Sequence, residues 1–114
     1  MRDINILRQN SQFKKVYSRG KYIITPELVL YARRVNAVGG YGITASKKIG
    51  NAVQRNRAKR RLRAVHRNFY PRISDGYDIV LVARSRTVTA KYQAIEKSFL
   101  KAATELGILK EAEL

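Results

Sequence analysis

The sequence predicts an α+β fold with a single β-sheet and elements in the order α-β-β-β-α-β-α. Three segments carry apolar residues at helical spacing, and two others alternate between apolar and polar residues, as strands do. A further run, residues 78–84, is apolar on both faces, which is typical of a central strand. The chain has 114 residues and 45% hydrophobic content, so one domain over residues 1–114 is predicted.

The first helix is predicted to begin at Asn10 or Ser11, because either side chain can cap a helix N-terminus. Gly20 is expected to end this helix in the left-handed conformation that glycine adopts easily. The apolar residues of the helix have the spacing i, i+3, i+4 and are Phe13, Val16 and Tyr17.

Three strands are predicted between Tyr22 and Ser46, and we interpret them as an antiparallel meander. The first is a short β-prone run before Pro26, and the third lies in residues 41–46 after a turn. The second covers residues 27–35, and its side chains alternate between two faces. One face consists of Leu28, Leu30 and Ala32, and the other of Val29, Tyr31 and Arg33.

The second half of the chain is predicted to hold two helices with a strand between them. The first helix covers residues 51–69 and is closed by Pro71. The strand is the apolar run at residues 78–84, and the last helix extends from about Ala90 to Leu106, where Gly107 ends it. The apolar stripe of the last helix consists of Tyr92, Ile95, Phe99 and Leu106.

Charge is the most unusual property of the chain. Its 24 Lys and Arg residues face 8 Asp and Glu residues, for a formal net charge of +16. Half of the cations lie between Glu27 and Asp75, where no acidic residue occurs. Self-repulsion on this scale destabilises a compact chain, so a polyanionic partner is indicated. Because the charge is concentrated within a folded domain, it favours nucleic acid over general solubility.

The composition also excludes several classes of site. The chain has no cysteine, which excludes a disulfide framework, a thiolate metal site and a cysteine nucleophile. Its first residues lack the apolar run of a signal peptide, and no stretch approaches the roughly 20 apolar residues of a membrane span. We therefore expect a cytoplasmic protein without a membrane partner.

The predicted helix at residues 51–69 divides into a thin apolar stripe and a broad cationic face at 100° per residue. The stripe consists of Ala58, Leu62, Val65 and Phe69. The opposite sector consists of Asn56, Arg60, Arg63 and Arg67, flanked by Arg55, Arg57, Lys59 and Arg61.

Two interpretations of this cationic face remain open on the residues alone. A solvated surface is one, but such surfaces normally mix signs, since like charges at i, i+4 cost about 0.2–0.5 kcal/mol each. Lys59 and Arg63 form such a pair with no acidic residue to offset it. Phosphate binding is the other, and the preference for arginine favours it, because guanidinium forks onto phosphate. Asn56 is either a neutral surface residue or a hydrogen-bonding partner for a base edge or ribose.

At this point the sequence becomes recognisable. The stretch Ser46-Lys47-Lys48-Ile49-Gly50-Asn51-Ala52-Val53-x-Arg55-Asn56-Arg57-x-Lys59-Arg60-x-x-Arg63 closely resembles the signature of the bacterial ribonuclease P protein subunit. Flanking segments occur in the order and spacing of that family: Phe13-Lys14-Lys15-Val16-Tyr17 with Gly20, Leu28-Val29-Leu30-Tyr31, and Asp78-Ile79-Val80-Leu81-Val82-Ala83-Arg84. The resemblance covers most of the chain.

The resemblance implies both a fold and a function. The fold is a two-layer sandwich of the ribosomal-protein type, with one four-stranded sheet and a left-handed β-α-β crossover. The function is that of the noncatalytic protein subunit of an RNA-based endoribonuclease, which removes the 5′ leader from precursor transfer RNA. Hydrolysis is assigned to the catalytic RNA, with Mg²⁺ bound mainly by that RNA. No organic cofactor and no obligate protein partner are implied.

The resemblance also assigns residues to two RNA partners. Contacts with the catalytic RNA are implied for Lys47, Lys48, Arg55, Asn56, Arg57, Lys59, Arg60 and Arg63, and Arg67 joins them on the same helical face. Contacts with the precursor 5′ leader are implied for Phe13, Tyr17, Val29 and Tyr31, and Arg33 shares their strand face. On the residues alone, Phe13 and Tyr17 are better interpreted as core aromatics, because aromatic residues at helical spacing normally face the core.

No catalytic or metal-binding set is predicted in the chain itself. The only histidine, His66, is expected on the flank of the basic helix, where neighbouring arginines favour neutral imidazole. Asp75 belongs to a Ser-Asp-Gly turn, and only Asp78 lies near it. Two alternatives to the favoured function remain: a ribosomal or general RNA-binding protein, and a free-standing nuclease, which the missing acid–base set disfavours.

Overall fold

Four strands form the single sheet of the computed structural model, which describes residues 5–110. The strands are β1 (Lys21–Ile24), β2 (Leu28–Arg34), β3 (Tyr41–Thr44) and β4 (Tyr77–Ala83). The helices are α1 (Asn10–Arg19), α2 (Ala52–Phe69), α3 (Ser85–Thr89) and α4 (Tyr92–Leu106), with 3₁₀ turns at Lys47–Ile49 and Tyr70–Arg72. The predicted α+β class and element order are confirmed, with α3 as an addition. The single-domain prediction for residues 1–114 includes residues 1–4 and 111–114, which lie outside the described residues.

The predicted meander is wrong, because β4 lies between β2 and β3. The strand order is β1-β2-β4-β3, in which β2 pairs antiparallel with β1 and β4, and β3 pairs parallel with β4. β4 takes the inner position because its side chains are apolar on both faces, with Ile79, Val80 and Leu81 all buried. The shorter β3 takes the outer position beyond β4, where Tyr41 exchanges backbone hydrogen bonds with Asn5 and Leu7.

The β3–α2–β4 crossover is left-handed, as the resemblance implies. The ring of Tyr41 stacks on His66 of α2, while its N–H and C=O bond to Asn5 and Leu7, away from β4. In a strand of L-residues that points upward, a residue whose side chain faces the viewer directs its N–H and C=O to the right. Seen from α2, β4 therefore lies to the left of β3. This hand is rare, since about 98% of such crossovers are right-handed.

One face of the sheet packs against α2 and α4 and forms the larger core. The predicted alternation of β2 is confirmed, since Leu28, Leu30 and Ala32 are buried on this face. The predicted stripe of α2 packs there too, with Ala58, Leu62 and Val65 at 0% exposure and Phe69 half-buried. Burial of each large aliphatic side chain contributes about 1.5–3 kcal/mol, so this contact fixes α2 on the sheet.

The opposite face of the sheet carries α1 over a smaller core. That core consists of Leu7, Val16 and Val80, with Phe13, Tyr31 and Val82 packed against it. The helix begins one residue earlier than predicted, because its N-cap is Gln9. The Gln12 side chain accepts hydrogen bonds from the backbone N–H groups of Arg8 and Gln9, so a glutamine provides the cap in place of Asn10 or Ser11.

Gly20 ends α1 as predicted, but the expected left-handed conformation is wrong. Its φ of −89° and ψ of 175° are extended, because β1 begins at the next residue. A Cβ at this position would lie 2.6 Å from the carbonyl oxygens of Ala32 and Val16. Glycine is therefore required for the close approach of the backbones and not for a positive φ.

α4 begins at Tyr92, close to the predicted start near Ala90, and the short helix α3 precedes it at residues 85–89. Thr87 is buried, and its Oγ1 accepts a hydrogen bond from the N–H of Arg84 at 2.9 Å, which closes this short helix at its start. Gly107 ends α4 with a φ of 72°, and its N–H donates to the carbonyl of Thr104 at 3.1 Å. The predicted end of α4 is therefore confirmed.

Gly42→Ala is expected to lower the free energy of unfolding by about 1–3 kcal/mol, because the new methyl group overpacks the contact between α1 and β3. A Cβ on Gly42 would lie 2.5 Å from Cζ of Phe13. Urea unfolding followed by circular dichroism measures the change. Val38→Ala is the control, since Val38 is 53% exposed in a turn. Equal stability of the two variants would contradict this account of how α1 is seated.

Candidate nucleic-acid interface

The basic ridge is the surface formed by the first 3₁₀ turn and the outer side of α2. Its members are the residues predicted to contact the catalytic RNA: Lys47, Lys48, Arg55, Asn56, Arg57, Lys59, Arg60, Arg63 and Arg67. All are exposed except Arg55 and Lys59, which are half-buried. The structure therefore brings the predicted set together on one outward surface, opposite the apolar stripe of α2.

The start of α2 is fixed by hydrogen bonds around Gly50. Asn51 and Gln54 form a capping box, in which each side chain accepts the other's backbone N–H at 3.0 and 3.1 Å. Gly50 has a φ of +142°, and a Cβ there would collide with the Gln54 side chain. The guanidinium of Arg55 donates to the carbonyl of Gly50 at 3.0 Å, so this ridge member also braces the turn.

Arg61 has a structural role, although it stands among the ridge residues in the sequence. Its guanidinium donates to the carbonyls of Thr87 at 2.9 Å and Val88 at 2.8 Å, and also to that of Ala90. Burial lowers the pKa of Arg61, and the positive charge of Arg57 lowers it further. Because guanidinium stays protonated in proteins, Arg61 acts as a charged clamp between α2 and the end of α3.

Arg57 belongs both to the basic ridge and to the contacts between α2 and the end of α3. It is exposed, and its Nε donates to the carbonyl of Val88 at 3.2 Å. Further along, α2 is also joined to α4, where Asn68 donates to the hydroxyl of Tyr92 at 2.8 Å. Burial raises the pKa of Tyr92, so its phenol stays neutral over the ordinary pH range. These contacts hold α2 firmly, which keeps the ridge in one orientation.

The aromatic cleft lies on the other face of the sheet, between α1 and the strands. We define it by Phe13, Tyr17, Tyr22, Val29 and Tyr31. The rings of Tyr17 and Tyr31 meet edge to face at 4.8 Å, and those of Tyr22 and Tyr31 lie 5.2 Å apart. Tyr17 is 39% exposed and Tyr22 is 54% exposed, so both offer ring surface to a ligand.

Sequence reasoning missed Tyr22, although it stands in a recognised β-prone run. The residue joins the cleft because it pairs with Tyr31 in the β1–β2 register. Side chains directly opposite each other in an antiparallel pair are neighbours on one face. Alternation within each strand was visible in the sequence, but the register that brings these two rings together was not.

A row of four side chains continues the floor of the cleft across the whole sheet. Ile24 pairs with Val29, Val29 with Val82, and Val82 with Thr44. Ile24 is 59% exposed and the others are half-buried, so the row is only partly covered by α1, whose Tyr17 hydroxyl lies 3.5 Å from Oγ1 of Thr44. Thr44 lies shortly before Lys47 in the chain, and the row therefore leads from the cleft toward the start of the basic ridge.

The remaining predicted leader residues have mixed positions. Phe13 is half-buried against the smaller core, whereas Tyr17 is exposed, so the core interpretation fits Phe13 better than Tyr17. Arg33 lies beyond Tyr31 on β2, where it lines a groove with Arg19 and Lys21. Its contact with a leader stays a prediction.

His66 lies on the buried side of α2 and not on its exposed side. It is only 4% exposed, and its ring stacks on Tyr41 with centroids 3.7 Å apart. The expected flank position is wrong, because the side of α2 that carries His66 packs against β3. Asp78 also has a structural role, since its carboxylate accepts the N–H of Gly40 at 2.8 Å.

Among residues 5–110, no three His, Cys, Asp or Glu side chains are grouped as metal ligands. Within the same residues, no helix has the length and apolarity to cross a bilayer.

A family model described as Ribonuclease P matches residues 1–107. The chain belongs to the ribonuclease P protein family. The ribonuclease P protein component of Alkaliphilus oremlandii is 36% identical, over 98% of this chain and 99% of its own length. That of Pelotomaculum thermopropionicum is also 36% identical, over 100% of this chain and 97% of its own. Family members are protein components of ribonuclease P, a ribonucleoprotein that includes an RNA.

Solved ribonuclease P proteins have the same fold. The Staphylococcus aureus protein superposes with a TM-score of 0.80 at 25% identity, covering 95% of this chain and all of that one. The Thermotoga maritima protein superposes with a TM-score of 0.74 at 24% identity, covering 85% of this chain and 93% of that one. The α+β fold implied by the sequence resemblance is thereby confirmed.

The neighbours Arg60 and Arg61 are expected to behave oppositely when each is changed to alanine. Arg61→Ala removes hydrogen bonds to three carbonyls, and we expect the free energy of unfolding to fall by about 1–3 kcal/mol. Arg60→Ala removes an exposed side chain, and stability is expected to stay within about 0.5 kcal/mol of the original. Chemical denaturation measures both. Comparable losses for the two variants would contradict the division into clamp and ridge.

Proposed function

We propose that this chain is the protein subunit of ribonuclease P, which binds the catalytic RNA through the basic ridge and the precursor 5′ leader in the aromatic cleft. In this role it promotes endonucleolytic removal of the leader to give the mature 5′ end of transfer RNA. The observation that carries the proposal is the pairing of two surfaces in one rigid fold. One face of the sheet carries an outward cationic helix and the other carries an open aromatic cleft, in a chain of the ribonuclease P protein family.

The basic ridge has the properties of a phosphate-binding surface. No carboxylate occurs in residues 28–74, so the chain offers the ridge no acidic neighbour in sequence. Arg60, Arg63 and Arg67 are exposed on the side of α2 away from the sheet. Neutralising several phosphates releases counterions, which is the main source of affinity for structured RNA. Asn56 stands among these arginines and adds a neutral group that can accept as well as donate a hydrogen bond.

The aromatic cleft has the properties of a single-strand site. Single-stranded RNA is held by stacking of its bases on aromatic rings beside positive charge. Tyr17 and Tyr22 present partly exposed rings, with Tyr31 between them, and the apolar row from Ile24 to Thr44 provides a floor. A leader lying along that row would run toward Lys47 and Lys48, so the leader and the catalytic RNA would meet at one end of the protein.

Hydrolysis in this proposal belongs to the RNA subunit, with Mg²⁺ bound mainly by that RNA and no organic cofactor. The protein's own titratable candidates have structural contacts: His66 is packed on Tyr41, and Asp78 holds the N–H of Gly40. The contribution of the chain is binding and orientation, which brings the leader and the catalytic RNA into one geometry. A cytoplasmic location, without a membrane partner or an obligate protein partner, is part of the proposal.

A ribosomal or general RNA-binding protein is the second candidate, favoured by the net charge of +16. The two candidates differ in the RNA that they select. Sequencing of RNA that co-purifies with the native protein separates them, since a ribonuclease P subunit enriches one long RNA over ribosomal RNA. Enrichment of ribosomal RNA alone would favour the second candidate.

Cleavage of a precursor transfer RNA should require the RNA subunit and be accelerated by this protein. At low Mg²⁺ we expect no cleavage with the protein alone, slow cleavage with ribonuclease P RNA alone, and fast cleavage with both. The physical reason is that the bound cationic protein offsets phosphate repulsion between the two RNAs. Gel analysis of the released leader measures all three reactions. Cleavage by the purified protein alone would eliminate the assignment of hydrolysis to RNA.

Tyr22→Ala should weaken binding of a substrate that has a leader by about tenfold, because one stacked base contributes roughly 1–3 kcal/mol. Affinity for mature transfer RNA should not change. Tyr22 suits this test better than Tyr31, which is half-buried against the smaller core.

Equilibrium binding of the assembled holoenzyme to both RNAs measures the effect of Tyr22→Ala. Tyr22→Phe is the matched control, since it keeps the ring and is expected to bind as the original protein does. Equal loss of affinity for precursor and mature transfer RNA would remove Tyr22 from the leader site.

A further inference from the structure

A cationic groove lies outside both the basic ridge and the aromatic cleft. It has a volume of about 320 Å³ and is bounded by the end of α1, the start of β1, the end of β2 and the start of β4. Four cations line it, and no carboxylate does: Arg19, Lys21, Arg33 and Arg34. Arg19, Lys21 and Arg34 are exposed, and Arg33 is half-buried.

The fold assembles this groove from separate parts of the chain. Arg19 ends α1, and Lys21 opens β1 and pairs with Ala32 of β2. Arg33 and Arg34 are the last two residues of β2, next to that pair. The close approach of Gly20 to the carbonyl of Ala32 draws the end of α1 against β2. Arg19, Lys21 and Arg34 are therefore placed at one end of the sheet despite their mutual repulsion, which is the arrangement expected of a polyanion site. The side chain of Arg33 lies on the opposite strand face, with Val29 and Tyr31.

The chemistry of the groove favours phosphates over bases. Its one aromatic lining residue, Tyr77, has the guanidinium of Arg34 above its ring at 5.9 Å, so that face is already occupied. A single strand is usually held by free aromatic faces, which this groove does not offer among its lining residues. Cations without an exposed aromatic ring for base stacking suit the backbone of a helical RNA, which is recognised through phosphate and ribose.

The position of the groove separates it from the path of the leader. The open row from Ile24 to Thr44 crosses the sheet where β1 ends and β2 begins, whereas the groove lies where β1 begins and β2 ends. The described part of the protein measures 38 × 35 × 24 Å, so an RNA that contacts this groove and the basic ridge together must span a distance of that order, as a folded RNA does.

We propose that Arg19, Lys21 and Arg34 form a second docking site for the catalytic RNA, which binds the phosphates of one of its helical segments. Binding at this site does not depend on the nucleotide sequence of the RNA. The site and the basic ridge bind the same RNA molecule. The identity of that RNA rests on the proposed function.

The test compares two triple variants that remove the same number of positive charges. One is Arg19→Gln with Lys21→Gln and Arg34→Gln, all exposed in the groove. The matched control is Lys91→Gln with Lys97→Gln and Lys101→Gln, all exposed at the start and along the outer side of α4. Thermal unfolding by circular dichroism establishes that both variants are folded. A double variant, Arg19→Gln with Lys21→Gln, serves the same test without disturbing the contact between Arg34 and Tyr77.

The readout is the affinity for transcribed ribonuclease P RNA over a KCl titration. Each lost phosphate contact lowers the slope of log affinity against log salt by about 0.7–0.9. The groove variant should lower the slope by roughly 2 and weaken binding by on the order of tenfold or more, whereas the control should change the slope by less than about 0.7. Equal slopes for the two triple variants would overturn the proposal.

Two further measurements distinguish this proposal from the function on which it rests. Arg60→Ala serves as the ridge reference, with an expected fall in slope of about 0.7–0.9. If Arg60→Ala lowers the slope and the groove variant does not, the groove assignment fails while the proposed function stands; if neither does, both fail. The groove variant could instead bind ribonuclease P RNA normally and reduce only the affinity of the holoenzyme for leaderless transfer RNA. That result would also overturn the assignment to the catalytic RNA.

Discussion

The structure depends on the burial of β4 on both of its faces. Ile79 and Leu81 face the larger core under α2 and α4, while Val80 faces the smaller core under α1. A strand of this kind must lie inside a sheet with cover on both sides, because its apolar side chains cannot be left in water on either face. β4 therefore lies between β2 and β3, and β3 pairs with it in parallel. Parallel neighbours need a long crossover, and α2 supplies it.

The crossover in turn decides where the charges lie. α2 buries a narrow stripe of Ala58, Leu62 and Val65 in the core, so its remaining circumference is free to carry cations. The repulsion among them is offset by the packing of that stripe and by the hydrogen bonds of Arg61 to the α3 end. One arginine thus stabilises the helix that presents the others. The division between Arg60 and Arg61 shows that adjacent arginines on one helix have different physical roles.

The same sheet carries two surfaces that suit different RNA chemistry. On the α2 side the surface is a row of exposed cations, which fits the phosphates of a folded RNA. On the α1 side, the sheet leaves a shallow cleft of rings and aliphatic side chains, which fits unstacked bases. Because the row from Ile24 to Thr44 leads toward the 3₁₀ turn at Lys47–Ile49, the two surfaces meet at one end of the molecule. The groove near Arg34 adds positive charge at the other end of β2.

The sequence by itself determined the local features of this protein. Periodicity identified α1, α2, α4, β2 and β3, and apolar runs identified β1 and β4. The run of cations without acidic residues identified the cationic outer side of α2. These signals were readable because each lies within one element. The sequence did not determine which strands pair, since the position of β4 depends on burial across the whole sheet. Three further features followed only from tertiary packing: the extended conformation of Gly20, the burial of His66 against Tyr41, and the pairing of Tyr22 with Tyr31. Each joins residues from different elements, and no spacing within a single element encodes such a contact.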